Sequence, residues 1–367
     1  MTESQLADLQ WLVLSSTAVV SVFLGVLFHR SHFCTMGAVS DAVIMENFDR
    51  LRQWALALAV AIFGFGCMAY AGLINPLQSI YATKDLLWLS SLLGGLLFGW
   101  GMVWASGCGS KTLVRLGAGN LKALWVLLVM GVVALSAMKG VLAVGRAQYI
   151  DAVTIEMPQG LFAGEWVSHY LNLSLHVGML VAACSVSLLL LVWVLKDRHF
   201  LTLHNLMAGI LVGLVICGVW WISGALGHGL EHPETLEEFF LATSSRKMEA
   251  LSFTGPVALA LDALMYFSDG TKRLTIGLVS VLGVCAGSFV SAWFQGTLKL
   301  EGFSNAVDMR RHLVGASFMG IGAVLAMGCS IGQGLSGLST LSLNSLLASL
   351  AIVAGAYAAL QYDLRQA

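Results

Sequence analysis

The chain carries seven cysteines, at positions 34, 67, 108, 184, 217, 285 and 329. They form no C-x-x-C and no tight cluster, and their number is odd, which speaks against both a disulfide framework and a structural zinc site. Three of them share a setting. Cys34 in SHFCTMGAVSDAV, Cys108 in ASGCGSKTLVRLGAGNLKAL and Cys329 in MGCSIGQGLSGLS each stand at a break, with small residues alongside, and precede a segment too short to cross a bilayer. Each is therefore expected at the mouth of a short helix, where unsatisfied N–H groups and the positive end of the dipole favour an anion. A thiol offers a weak donor and a polarizable acceptor in a small volume, so it can touch a soft anion without the desolvation cost of a fixed buried charge. A buried Lys or Arg would hold a dianion too tightly, and conduction needs weak, multiple sites. Cys67, Cys184, Cys217 and Cys285 stand at no such break and read as small apolar packing residues.

The neighbours of these thiols are chemically consistent with that role. Gly107 and Gly109 are expected to permit a sharp turn and close backbone approach, and Ser110 suits an N-cap. Lys111 and Arg115 follow at i, i+4, as an attractant for anions or as ordinary positive-inside anchors. Around Cys329, Gly328 repeats Gly107, while Ser330, Gln333 and Ser336 read as neutral donors or as small-residue helix packing. Asp41 and Asp262 read as capping or packing residues, and His32 as a polar tip or a proton exchanger. His228 and His232 share a polar loop with Glu231 and Glu234, a weak metal-ligand set, and no metal or cofactor is assigned.

The elements that hold these residues must lie in lipid. The chain has 367 residues, 58% hydrophobic and 11% charged, where a soluble domain carries about 25% charged residues. The 19 Lys+Arg and 20 Asp+Glu nearly cancel and form no basic stripe, which excludes a nucleic-acid partner. A hydrocarbon core about 30 Å thick needs roughly 20 helical residues. Nine such runs occur, near 10–29, 53–74, 86–106, 121–144, 172–196, 205–226, 273–295, 311–328 and 343–362, with polar connections at 145–170 and 227–250. Four shorter segments, near 33–46, 109–118, 252–266 and 329–340, read as re-entrant. The segment ahead of the first run lacks a positive n-region, so that run reads as a retained span. Placing the N-terminus outside and the C-terminus inside puts twelve Lys/Arg in the cytoplasm against seven outside.

The chain also matches itself at an offset of 221 residues. LLGGLLFGWGMVWASGC lies over LVGASFMGIGAVLAMGC, pairing Gly94 with Gly315, Gly101 with Gly322 and Cys108 with Cys329. The same offset pairs Ser31 with Ser252 and Asp41 with Asp262, and sets Cys34 opposite Gly255. The expected fold is an all-α polytopic membrane protein built as an inverted repeat: residues 1–145 as the first half, 146–204 as connecting loop and linking span, and 205–367 as the second half, inverted.

The three cysteine-bearing segments, in this order, resemble the signature segments of the YeeE/YedE family of bacterial inner-membrane sulfur-compound transporters, and the resemblance covers nearly the whole chain. It implies uptake of thiosulfate across the inner membrane through an hourglass-shaped inverted repeat of nine spans and additional short helices. It implies further that Cys34, Cys108 and Cys329 pass the ion along by S–H···S hydrogen bonds without being consumed. A small TusA-like sulfurtransferase is the partner implied on the cytoplasmic side. Related branches handle selenium compounds, so another sulfur or selenium oxyanion is the alternative cargo. The rival from another class is a membrane thiol oxidoreductase or sulfurtransferase, which would need a second thiol in reach of the first.

Overall fold

The computed structural model describes residues 3–231, 236–268 and 274–366. Fourteen α-helices occur among them: α1 (Glu3–Ser31), α2 (Thr35–Ile44), α3 (Asp49–Tyr70), α4 (Trp88–Trp104), α5 (Gly109–Gly117), α6 (Leu121–Lys139), α7 (Val141–Gly145), α8 (Ala163–Leu171), α9 (Leu175–Leu195), α10 (Leu203–Trp221), α11 (Thr254–Met265), α12 (Ile276–Phe294), α13 (Ala306–Leu325) and α14 (Leu343–Gln366). A π-helical segment, Gly332–Gly337, follows Cys329. Strand is confined to two-residue pairs, β1 (Asp85–Leu86) with β2 (Ile155–Glu156) and β3 (His228–Gly229) with β4 (Phe239–Phe240).

Among the described residues, eight spans are long and apolar enough to cross a membrane. The ninth expected span falls in α13, which opens with Asp308, Arg310, Arg311 and His312. Ion pairs offset part of this charge: Asp308 meets Lys122 at 2.8 Å and Arg311 meets Asp363 of α14, while the His312 ring lies 3.0 Å from the Asp308 carboxyl. All four predicted short segments are helical, as α2, α5, α11 and the turns after Cys329. The connection at 145–170 is more ordered than its polarity suggests, because α8 packs on α9 and β2 pairs with β1.

Close helix approach rests on glycines four residues apart, the pattern that lets backbones touch in lipid. A Cβ on Gly99 would overlap the carbonyl oxygen of Ile352, and one on Gly95 would lie 2.7 Å from that of Ala348, which sets α4 against α14. Gly283 and Gly287 likewise meet Ser21 and Val22 of α1, and Gly209 and Gly213 meet Gln53 and Ala57 of α3.

Part of the packing repeats at the offset found in the sequence: α4 packs on α14 and α13 on α6, and α2 meets α14 as α11 meets α6. α1 packs on α12 and α10 on α3, but α10 lies ahead of the position that this offset assigns to a counterpart of α1. Where α4 crosses α13, a Cβ on Gly94 would meet the Gly322 carbonyl and one on Gly315 the Gly101 carbonyl, both at about 2.7–2.8 Å. The α9 helix stands apart from this exchange, packed on α3 and α8.

Candidate functional site

The helices before Cys108 and Cys329 end in the same way. In α4 the chain turns left-handed at Ser106 (φ 56°) and Gly107 N–H donates to Met102 O at 2.8 Å; in α13 it does so at Met327 (φ 56°), and Gly328 N–H donates to Ala323 O at 2.8 Å. These are Schellman-type caps. The left-handed residue is thus Ser106 or Met327, not the glycine that the sequence suggested. Gly107 and Gly328 instead leave room, since a Cβ on either would press at 3.2 Å on Lys111 or Gln333.

Cys34 and Cys108 are the N-cap residues of α2 and α5. The N-cap expected at Ser110 therefore lies two residues earlier, and the Ser110 hydroxyl bonds the Cys108 thiol at 3.2 Å. Cys34 Sγ accepts the Gly37 N–H at 3.4 Å, and Cys329 Sγ accepts the N–H groups of Gly332 and Phe253, each at 3.4 Å. Gly109, the first residue of α5, faces Phe253 and Thr254 at the start of α11. Four short-helix N-termini converge on one region, and each thiol stands where N–H groups point outward.

Cys34, Cys108 and Cys329 are 4%, 0% and 1% exposed, so none is open to bulk water. Cys34 Sγ and Cys108 Sγ lie 4.0 Å apart although 74 residues separate them in sequence. No C-x-x-C spacing could have announced that pair. All seven cysteines are free thiols.

Two cavities reach the neighbourhood of the thiols. The first, of about 250 Å³, is lined by Cys34, His29, His32, Arg50, Lys111 and Arg115. Lys111 and Arg115 thus share one wall as their spacing implied, Arg115 also donating to Ser106 O at 3.2 Å. Arg50, which no motif singled out, joins them and pairs with Asp41 at 3.3 Å. Gly37 makes room for it, as a Cβ there would press on the guanidinium at 2.7 Å. The second cavity, of about 340 Å³, is lined by Gly328, Ser252, Gly255, Tyr81, Arg146 and Glu249. The Ser252 hydroxyl lies 3.8 Å from Cys329 Sγ, and the Tyr81 hydroxyl donates to Gly332 O at 2.5 Å.

The remaining sequence-selected residues divide. Ser330 and Gln333 are buried beside Cys329, but the Gln333 amide N–H is spent on Ala326 O at 2.6 Å. Ser336 donates to Leu251 O at 2.7 Å, a packing role. Asp262 meets Lys139 at 3.0 Å, so both repeated aspartates hold a cation near their short helix. His228 bonds Glu238 at 2.6 Å, which holds that exposed carboxyl below its ordinary range, and stacks on Phe240. His232, Glu234, Lys272 and Arg273 lie outside the described residues. Of the residues that sequence reading missed, Ser252 had a signal, its pairing with Ser31 in the repeat; Arg50, Tyr81 and Glu249 had none.

A polytopic helical bundle with buried neutral donors beside two cavities is the architecture of a membrane transporter. The family profile described as Sulphur transport matches residues 30–358, and the chain belongs to that family. Two relatives, both named thiosulfate transporter TsuA, are 27% identical to it. The one from Escherichia coli (strain K12) aligns over 342 residues, 87% of this chain and 86% of its own length. The one from Spirochaeta thermophila aligns over 346 residues, 92% of this chain and 95% of its own.

Proposed function

We propose that this protein takes up thiosulfate across the bacterial inner membrane, and that the ion passes Cys329, Cys108 and Cys34 in turn through S–H···S hydrogen bonds. The observation that carries this reading is the set of buried thiols at the mouths of short helices, with Cys34 and Cys108 4.0 Å apart, Cys34 in the wall of one cavity and Gly328, next to Cys329, in the wall of the other. Half-helix N–H groups supply the attraction for negative charge. Lys111 and Arg115, with Arg50, draw it out at the far mouth. Each thiol keeps its proton or shares it with the passing ion, so the cysteines are not consumed.

The paired helix contacts at the 221-residue offset support an inverted repeat of residues 1–145 and 205–367, with 146–204 as the linking piece. The Lys/Arg distribution supports an N-terminus outside and a C-terminus inside, which makes the Lys111 cavity cytoplasmic. That cavity would hand the ion to a TusA-like sulfurtransferase.

The test is uptake of labelled thiosulfate into proteoliposomes holding the wild type or Cys108→Ala, with sulfate and selenite as competitors. Saturable uptake that is lost in the variant and resists sulfate supports the reading. Strong competition by selenite moves the cargo to a broader oxyanion class. Normal uptake by Cys108→Ala overturns the relay, and no wild-type uptake in sealed liposomes overturns the transport assignment.

A further inference from the structure

The second cavity holds a group that anion passage does not obviously want, the carboxyl of Glu249. Its residue is 7% exposed, and it forms part of the wall leading to Ser252 and Cys329. Its position is tightly set. Ser223 Oγ donates to Glu249 O at 2.5 Å, and the preceding residue is strapped to the α3–α4 connection by Met248 N–H to Gln78 O (2.9 Å) and Ile80 N–H to Met248 O (3.0 Å). The carboxyl receives the Ser244 N–H at 3.0 Å, the Ser244 hydroxyl at 3.1 Å and the Ser245 hydroxyl at 3.2 Å.

Among the described residues no cation forms an ion pair with this carboxyl. Arg146 lines the same cavity but pairs with Asp151 at 3.0 Å. Tyr81, from the α3–α4 connection, spends its hydroxyl on Gly332 O. On Glu249's own loop, Lys247 reaches Ala82 O at 3.5 Å and Arg246 lines a neighbouring cavity beside Lys139 and Asp262. α6, α11, α12 and α13 contribute Met138, Leu259, Gly277 and Val324 to the wall, none of them titratable.

We propose that Glu249 is a proton-controlled charge filter at this mouth of the path: a divalent anion passes when the carboxyl is neutral and is turned back when it is ionised. The inference rests on the transport reading above. An ionised carboxylate in a poorly solvated wall repels a dianion over several ångströms, whereas a neutral carboxyl can donate a hydrogen bond to it. The cradle suits both states, because the hydroxyls of Ser244 and Ser245 can donate to the carboxylate or accept from the acid. Burial pushes the Glu249 carboxyl above its ordinary range, against the pull of the serine hydrogen bonds, so the switch lies on the neutral side of an exposed glutamate. Thiosulfate keeps both charges across that range, so the titrating partner is the protein.

The experiment is proteoliposome uptake of labelled thiosulfate, with equal pH on both sides, between about pH 5 and pH 8. Wild-type uptake is expected to fall by about tenfold per pH unit once the carboxyl ionises. Glu249→Gln, which preserves an acceptor and the shape, is expected to keep the low-pH rate and lose the fall. A flat wild-type profile overturns the proposal, and so does a Gln variant with the wild-type profile, which would assign the dependence to His29 and His32 in the other cavity. Should Glu249→Gln fail to fold, Ser245→Ala withdraws a hydrogen bond from the ionised form and must carry uptake to higher pH; an unmoved midpoint overturns the proposal. Absence of wild-type uptake at every pH overturns the transport reading, and this inference with it.

Discussion

Replacing Cys329 separates a thiol that holds the fold from one that conducts. Its sulfur accepts two backbone N–H groups, from Phe253 and Gly332, both at 3.4 Å, at a site 1% exposed. Cys329→Ala leaves both donors without an acceptor. Sulfur is a weak acceptor, so the expected cost is about 1–2 kcal/mol for the two together. Cys329→Ser keeps an acceptor and a donor in place and should melt within about 1 kcal/mol of wild type. If a hydrogen bond from the thiol to the anion stabilises the passing state by about 1.5–3 kcal/mol, losing it slows uptake by roughly 10- to 150-fold. The oxygen of serine is smaller and less polarizable, so both variants should be slow although only Ala is clearly destabilised. The assay pairs thermal melting in detergent with initial uptake rates into proteoliposomes, normalised to folded protein. A Ser variant that transports at the wild-type rate refutes the sulfur relay and reduces Cys329 to a helix cap.

Three further outcomes are expected. Lys111→Gln should raise KM by about two- to tenfold at low ionic strength with little change in kcat, and the difference should shrink as salt is added; an unaltered salt dependence would refute a role in attraction. Gly99→Ala forces a Cβ onto the Ile352 carbonyl and should cost about 1–3 kcal/mol by parting α4 from α14, so an unchanged melting temperature would show that this seam is loose. Tyr81→Phe removes the 2.5 Å bond to Gly332 O from a residue 5% exposed and should cost about 1 kcal/mol. Because it loosens the turn after Cys329, it should also slow uptake, which rate measurement alongside melting would reveal.

The spans were legible because lipid demands long apolar helices, and the breaks because Gly-Cys after small residues interrupts them in both halves. The paired aspartates, Asp41 and Asp262, were legible as structural through their recurrence, and the structure gives each a basic partner. Other features depend on contacts between distant parts of the chain. Nothing near Cys34 or Cys108 foretells that their sulfurs meet, since the meeting is made by α2 and α5 converging. The left-handed turns fell on Ser106 and Met327 because Schellman geometry selects a position relative to the helix end, and glycine is only its commonest occupant. Glu249 sat in a stretch that reads as a polar connection, and only the strapping of Met248 to Gln78 and Ile80 turns it into a cavity wall. The helix α8 was obscured for a similar reason, as its stability comes from packing on α9 and not from a long apolar run.

The glycine seams bear on how an ion can move at all. At α1–α12, α3–α10 and α4–α14 the helices touch backbone to backbone where their glycines cross, so little side chain can slide or re-intercalate at those points. Swinging one half of the molecule against the other would have to open all of these seams together, with nothing to fill the gaps they leave. Under the proposed relay, a frame closed in this way would serve as a static housing, with movement confined to thiol and hydroxyl rotors and to side chains lining the cavities. Turnover in such a housing would be set by local rotations, which occur far faster than the hinging of domains, so under the proposed relay the rate should follow the occupancy of the cavities more closely than the stiffness of the surrounding membrane.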